Sequence, residues 1–213
     1  GDDPAPSTPE PAAPEPAAPG PPARRRRWLR FLAGTAILAA IAVWAHGNLF
    51  RWILYPAPSA AVPYPAPPLV EVNLVSGGRT ATIAWHLPAA DARAPLCILF
   101  HGNGENLETI RRAGILDSFR ALGAGVLAVE YPGYGRSPGC PSEDSIAAAA
   151  DAAVAWARRT HPDAPLVAAG WSLGSAAAAG ALGRNGEALA AGVLLSPWTD
   201  LRAVAANHYP PWL

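Results

Sequence analysis

One serine of this sequence lies in a setting that suits a nucleophile. The stretch Gly170-Trp171-Ser172-Leu173-Gly174 places it between two glycines, after the apolar residues 166–170 and before the alanine-rich residues 173–183. A sharp turn from strand to helix holds a serine hydroxyl out at the carboxyl edge of a sheet, and the flanking positions are glycine because side chains there would clash. The pattern predicts that Ser172 attacks an acyl carbon. The alternative is a tight turn that contains a serine by chance.

A second glycine-rich turn stands where an oxyanion can be bound. His101-Gly102-Asn103-Gly104 follows the apolar run Leu96–Phe100 directly. Backbone N–H groups of such a turn point into the crevice at the end of the strand, where they stabilise negative charge on a carbonyl oxygen. Taken alone, the turn is as typical of an ordinary strand-to-helix connection. Its occurrence together with the Ser172 turn favours the oxyanion role.

Alternating strands and helices are predicted to position these two turns. Ser142 is expected to cap a helix that runs to about residue 160, with Glu143 and Asp144 in its first turn. The other predicted helices are 107–122 and 173–183, and the predicted strands are 69–75, 80–86, 96–100, 125–130, 166–170 and 191–195. This alternation predicts a parallel sheet with right-handed crossovers. The turn Ser76-Gly77-Gly78 predicts a hairpin between the first two strands.

With these features in order, the sequence resembles the α/β-hydrolase family, and in particular its membrane-anchored serine hydrolases with an HGN-type oxyanion loop. The resemblance extends from about residue 53 to residue 213. It is carried by the turn 101–104, the stretch Glu130-Tyr131-Pro132-Gly133-Tyr134-Gly135-Arg136-Ser137, the helix capped by Ser142 and the Ser172 turn. The implied fold is α/β: a mostly parallel, doubly wound sheet that begins with a β-hairpin and is incomplete at its C-terminal end.

The resemblance also implies roles for single residues. Ser172 would be the acylated nucleophile. The backbone N–H of Leu173 would be one oxyanion donor, and that of Asn103 the other. His101 would shape the loop and would not act as the catalytic base. Residues 131–137 would form a rigid loop near the pocket, with no chemistry assigned to them.

A serine nucleophile needs a base and an orienting carboxylate, which follow the serine in the order acid, then histidine, in this fold. After Ser172 the candidates are Glu187, Asp200 and His208. Glu187 falls in a helix-to-strand turn, and Asp200 and His208 follow residues 191–195 too closely to fit the family layout. We therefore expect this chain to lack both triad partners, to be C-terminally truncated, to leave one sheet edge unpaired and to be marginally stable alone.

Three functions are compatible with this pattern. The first is cleavage of an ester or thioester of a small-molecule or lipid-like acyl substrate through an acyl-Ser172 intermediate. The second is peptide hydrolysis by the same fold. The sequence does not distinguish a peptidase from an esterase, because the pocket residues that differ between them lie mostly downstream. The third is a non-catalytic binding protein with an α/β-hydrolase-like fold, which the intact Ser172 turn disfavours.

Composition excludes several other classes. The net charge is zero, so no basic face for nucleic acid is expected. No His, Cys, Asp and Glu cluster has metal-ligand spacing, and Gly133–Gly135 lacks the lysine of a phosphate-binding loop, so neither metal nor cofactor is predicted. The two cysteines are too few for a disulfide framework. Cys97 is expected to be a buried thiol, and a bridge to Cys140 is the alternative if the domain is exported.

The first 68 residues divide into three segments. Residues 1–23 are rich in Pro and Ala and are expected to be disordered. Residues 24–52 form the candidate membrane anchor. Residues 53–68 contain six prolines and are expected to be a semi-rigid linker to the partial hydrolase domain, 69–213.

The anchor consists of an arginine run and an uncharged apolar stretch. Arg24-Arg25-Arg26-Arg27 precedes the uncharged residues 31–45, and apolar character continues with interruptions to Phe50. A single-pass helix, a cleaved signal peptide and a buried soluble helix are the three readings. The arginines place the N-terminus in the cytoplasm and the hydrolase domain on the far side of the membrane.

Overall fold

The computed structural model describes residues 23–58, 60–198, 200, 204 and 206. The tail predicted to be disordered lies outside these residues, apart from Ala23, and so does His208. The helices are α1 Ala23–Leu54, α2 Leu107–Arg112, α3 Ile115–Ala121, α4 Glu143–Thr160 and α5 Leu173–Asn185, with one 3₁₀ turn at Gly186–Ala188. The strands are β1 Val70–Ser76, β2 Arg79–Leu87, β3 Leu96–Phe100, β4 Gly125–Val129, β5 Leu166–Trp171 and β6 Ala191–Leu195.

The six strands form one mixed sheet in the order β1-β2-β4-β3-β5-β6. The hairpin strands β1 and β2 are antiparallel, and β2 pairs antiparallel with β4. The pairs β3–β4, β3–β5 and β5–β6 are parallel. This topology confirms the predicted α/β-hydrolase sheet with its N-terminal hairpin.

The central strands are buried on both faces, as their continuous apolar runs predict. Alternate side chains of β3 point to opposite sides because the strand repeat is two residues. Leu96, Ile98 and Phe100 belong to a cluster with residues of α4 and α5. Cys97 and Leu99 belong to a second cluster with residues of α2 and α3. The helices therefore cover the two faces of the sheet in pairs.

The helix predicted over 107–122 is interrupted in the structure. α2 ends at Arg112 and α3 begins at Ile115, with Gly114 between them in the left-handed region at φ 72°. Glycine adopts this conformation without the steric penalty of a Cβ atom. The prediction of one continuous helix is wrong here, because the apolar periodicity continues across Gly114 while the backbone turns.

The chain divides after Gly47 into two compact units. Helix α1 contains a stretch, Arg26–Leu54, that is long and apolar enough to cross a membrane, and its apolar window is not buried by the rest of the chain. This exposure disfavours the reading as a buried soluble helix. In the second unit, the segment expected to be a linker contains Tyr55 and Val62, which are buried in the two clusters that cover the sheet.

Two further features bear on the domain edge and the thiols. Within the described residues, β6 is an edge strand, and all five of its residues are exposed.

Cys97 and Cys140 are both free, the first buried and the second exposed. Burial raises the pKa of the Cys97 thiol to about 12, so this thiol stays protonated and unreactive at neutral pH.

Candidate active site

The two glycine-rich turns meet at one edge of the sheet. β3 and β5 are parallel neighbours, with Phe100 opposite Gly170 in the register. Both strands end at the same edge, so residues 101–106, called the candidate oxyanion loop below, lie beside residues 170–174, called the nucleophile turn. This is the edge at which open α/β sheets bind ligands.

Ser172 lies on a strained backbone between β5 and α5. Its φ of 53° and ψ of −119° place a non-glycine residue at positive φ, which proteins retain mainly at functional sites. Two hydrogen bonds hold the conformation: Ser172 N–H donates to the Leu195 carbonyl at 3.1 Å, and the Ser175 hydroxyl donates to the Ser172 carbonyl at 2.6 Å. The neighbouring strand and helix therefore maintain the strain at the candidate nucleophile.

The two flanking glycines are required by close backbone packing. A Cβ atom on Gly170 would come closer than 3.0 Å to the Gly174 carbonyl, a separation that Cβ atoms essentially never show. A Cβ atom on Gly174 would overlap the Phe100 carbonyl in the same way. The second overlap also demonstrates that the start of α5 packs directly on the end of β3.

A buried polar network fixes the start of the candidate oxyanion loop. His101 and Glu130 are both inaccessible to solvent, and His101 Nε2 lies 2.9 Å from Glu130 Oε1. Glu130 Oε2 accepts the N–H of Leu107 at 3.2 Å, and the Tyr131 hydroxyl donates to the His101 carbonyl at 2.5 Å. Because buried polar groups need partners, this network restricts the loop to one conformation. His101 is thus occupied in shaping the loop, as the sequence led us to expect.

The two tyrosines beside this network act as hydrogen-bond donors. Burial raises the pKa of the Tyr131 phenol well above its ordinary value, with smaller contributions from Tyr134 and nearby carboxylates. Burial likewise raises the pKa of Tyr134. Both phenols therefore stay protonated at any physiological pH and keep donating.

Glu105 joins the loop to the nucleophile turn, a contact that the sequence analysis missed. Its Oε2 accepts the Gly102 N–H at 2.7 Å and the indole Nε1–H of Trp171 at 2.8 Å. A Cβ atom on Gly102 would come within 3.0 Å of the Trp171 indole nitrogen, so glycine is needed at this position. Glu105 accepts the Gly102 N–H, so this amide is not available to an oxyanion, whereas the resemblance to the family implies the N–H of Asn103 for that role.

Ser172 and Leu173 are positioned by β5 and α5, and Asn103 by β3. The Leu173 N–H is at the first position of α5, where backbone amides have no intrahelical acceptor and the helix dipole is positive. The Asn103 side chain is held on both sides: its amide donates to the Leu54 carbonyl at 2.7 Å, and its oxygen accepts the Tyr134 hydroxyl at 2.9 Å. The three predicted residues thus come from neighbouring elements at one edge.

The acidic and basic partners of a triad are not assembled among the described residues. His101 is bonded to Glu130, and His86 and His161 pack against each other. Glu187 lies in the 3₁₀ turn after α5, where no residue is buried, and Asp200 follows β6. Over residues 23–58 and 60–198, no group of three His, Cys, Asp or Glu side chains is arranged to hold a metal ion.

Comparison with known proteins agrees with this geometry. The profile of the α/β hydrolase fold matches residues 95–213, which is more than half of the chain. An uncharacterized protein of Mycobacterium tuberculosis, Rv2307c, is 35% identical over 199 residues that cover 89% of this chain and 68% of that protein. The lysophosphatidylserine lipase ABHD12 of Rattus norvegicus is 29% identical over 127 residues, 58% of this chain and 32% of the lipase.

Solved structures give the same fold. The esterase Pf2001 of Pyrococcus furiosus superimposes with a TM-score of 0.60 at 19% identity, over 73% of this chain and 63% of the esterase. The chain therefore spans a little under two thirds of the length of that structure. The sheet order, the strained turn at Ser172 and the match over residues 95–213 lead to one assignment: this chain belongs to the α/β-hydrolase-fold family.

Proposed function

We propose that the complete protein is a serine hydrolase that cleaves an ester or thioester through an acyl-Ser172 intermediate. The observation that carries this proposal is the strained conformation of Ser172, locked by Gly170 and Gly174 against the end of β3. A binding protein has no need of a strained turn that holds a serine at positive φ at this edge of the sheet. Membership of a family with esterase and lipase relatives supports the same reading.

The proposed reaction has two halves. Ser172 Oγ attacks the acyl carbon and loses its proton to a histidine base, and the carbonyl oxygen becomes an oxyanion that accepts hydrogen bonds from the N–H groups of Asn103 and Leu173. Collapse of this intermediate breaks the bond to the alcohol or thiol, which leaves with a proton from the base. Water then attacks the acyl-serine by the same route and releases the carboxylic acid. The positive end of α5 further stabilises the oxyanion.

We further propose a lipid-like acyl substrate. Two observations support it: the candidate membrane span Arg26–Leu54 precedes the domain directly, and ABHD12 relatives are named as lysophosphatidylserine lipases. The last residue of that span, Leu54, accepts a hydrogen bond from Asn103 through its carbonyl, so the proposed site adjoins the residue at which the span ends. A substrate that partitions into a membrane would be concentrated there.

The enzymatic test uses a series of acyl substrates with the complete reading frame. Esters and thioesters of increasing chain length, a lysophospholipid and a peptide amide are compared. We expect ester or thioester cleavage that falls at least about 10³-fold in Ser172→Ala, with wild-type rates in Ser118→Ala, an exposed serine of α3. Cleavage of the amide alone would favour the peptidase, and undiminished activity in Ser172→Ala would refute the proposal.

We propose a single-pass arrangement with the N-terminus in the cytoplasm and the hydrolase domain across the membrane. The chain contains only two cysteines, and only Cys140 is exposed. A membrane-impermeant maleimide should therefore label intact cells at Cys140, and Cys140→Ser should abolish the labelling. Labelling that appears only after permeabilisation would contradict this orientation.

A further inference from the structure

Two asparagine side chains tie the candidate oxyanion loop to the segment that follows α1. Asn103 Nδ2 donates to the Leu54 carbonyl at 2.7 Å, and Asn106 Nδ2 donates to the Ala60 carbonyl at 2.9 Å. The partners are 49 and 46 residues apart in sequence, so both bonds are tertiary. We call residues 54–58 together with Ala60 the strap, because its first residue, Leu54, and its last, Ala60, are both bonded to the loop.

Each asparagine is also bonded to a fixed part of the domain. Asn103 Oδ1 accepts the hydroxyl of Tyr134, which is fully buried. Asn106 is the N-cap of α2, and its Oδ1 accepts the Thr109 N–H at 2.9 Å. Both amide groups therefore use their donor toward the strap and their acceptor toward the core. The orientation of each side chain depends on both partners.

One buried side chain within the strap and one just after it fix the strap to the domain. Tyr55 is buried in the cluster that includes Tyr134, and Val62 is buried in the cluster on the other face of the sheet. Leu54 is the last residue of α1, where helix carbonyls lack an intrahelical partner, so Asn103 satisfies an otherwise open acceptor. Strap and loop thus complete each other's hydrogen bonding.

We propose that the strap is a positioning element of the active site: it holds the backbone of the candidate oxyanion loop in place through Asn103 and Asn106, and so makes the end of the membrane helix part of the catalytic machinery. This inference rests on the proposed function. Its basis is that Asn103, whose backbone N–H is the proposed oxyanion donor, has its side chain bonded to the Leu54 carbonyl. A displacement of such a donor by about 1 Å lowers rates by roughly 10²-fold.

Two variants of the full-length protein in detergent test this role, each with a matched control. Asn103→Asp is isosteric and still accepts from Tyr134, but it loses its donor to the strap and places a carboxylate against the Leu54 carbonyl. Its control is Asn73→Asp, at an exposed asparagine of β1. Insertion of Gly-Ser after Pro58 relaxes the strap and leaves both asparagines intact. Its control is the same insertion after Gly77, in the exposed hairpin turn.

The readout is kcat and KM for a cleavable ester, together with the rate of fluorophosphonate labelling of Ser172. We expect both strap variants to lower kcat and the labelling rate by about 10- to 100-fold with KM changed less than about twofold, because the oxyanion donors act in the transition state. A variant that only loosens the fold would lower the melting temperature without this selective effect on kcat.

The outcomes separate the two proposals. Both controls are expected to keep wild-type kcat. If Ser172→Ala is inactive while Asn103→Asp and the strap insertion keep wild-type kcat and labelling rates, the positioning role is refuted and the proposed function stands. If Ser172→Ala keeps wild-type activity, the proposed function itself is refuted.

Discussion

At the scale of single residues, backbone contact decides what the nucleophile turn tolerates. The carbonyl of Phe100 occupies the space into which a side chain at Gly174 would point, and the carbonyl of Gly174 does the same for Gly170. Neither neighbour is a flexible side chain that can move aside. The geometry of Ser172 is therefore coupled to the end of β3 and to the first turn of α5.

We expect Gly174→Ala to destabilise the domain by about 2–3 kcal/mol and to abolish labelling of Ser172, because α5 must move away from β3. Unfolding in urea gives the first quantity. The control is Gly183→Ala in the same helix, where a Cβ atom meets nothing within 4 Å. That change should be neutral or stabilise by up to about 1 kcal/mol. Equal stabilities of the two variants would contradict the packing described for the nucleophile turn.

The sequence predicted some of the site residues and could not predict others. Ser172 was predicted from a local pattern, a strand followed by a glycine-rich turn, and the role of Asn103 was implied by the resemblance to the α/β-hydrolase family. Glu105 and Glu130 were not assigned roles, since their partners are distant in sequence and are brought near by the order of the strands. One feature of the sequence could have indicated the role of Glu130. It directly follows an apolar strand, and a carboxylate buried in that position requires hydrogen-bond partners.

At the scale of elements, the predicted strands agree with the structure to within one residue at each end, because continuous apolar runs are bounded by Gly, Pro and polar turns. The helix at 107–122 was predicted as one piece because the spacing of apolar residues continues across Gly114 and gives no sign of its left-handed backbone. Residues 53–68, which include the strap, were expected to be a linker, because proline content indicates an extended backbone and carries no information on burial. Only the structure shows that Tyr55 and Val62 pack into the domain.

The cap of α4 provides a prediction for an element. The Ser142 hydroxyl accepts the Ser145 N–H at 3.1 Å, and the Ser145 hydroxyl accepts the Ser142 N–H at 2.9 Å, a reciprocal capping box. We expect Ser142→Ala to lower the free energy of unfolding by about 1 kcal/mol. Ser118→Ala, which removes an exposed hydroxyl from α3, should change it by much less. A Ser142→Ala variant with wild-type stability in urea would show that the cap does not hold α4.

At the scale of the whole molecule, helices on both faces of the sheet begin at the edge where the candidate site lies. α4 and α5 cover one face and begin at the edge where the candidate site lies, and α2 begins at the candidate oxyanion loop. The site is therefore built from the ends of elements whose middles form the core. Changes in global stability should accordingly be transmitted to it.

A half-buried histidine is expected to make the stability of the domain depend on pH. His86 on β2 packs against Trp156 and His161, and within the described residues its Nε2 is buried without a hydrogen-bond partner. Burial, and to a smaller extent the nearby His161, lowers the pKa of His86 from 6.5 to about 4. His86 is thus neutral in the folded domain and becomes protonated near pH 6.5 when the chain unfolds.

Below pH 6.5 the unfolded chain takes up a proton at His86 that the folded domain does not. The stabilising effect of neutral His86 on the fold is therefore fully present above pH 6.5 and is lost progressively as the pH falls toward 4. We expect the urea midpoint to fall between pH 7 and pH 5.5, a range above the titration of ordinary carboxyl groups. In His86→Gln the fall should be smaller, with a remainder from His161, whose pKa burial also lowers. An identical pH dependence in this variant would exclude His86 as the cause.

The central claim is that Ser172 is the nucleophile, and covalent labelling tests it most directly. A fluorophosphonate probe is applied to the complete reading frame that contains this chain, and to Ser172→Ala and Ser118→Ala in that frame, with the adduct located by mass spectrometry. We predict a single adduct on Ser172 in the complete reading frame and in Ser118→Ala, and none in Ser172→Ala. Labelling that persists in Ser172→Ala, or a complete reading frame that the probe leaves unmodified, would contradict the account.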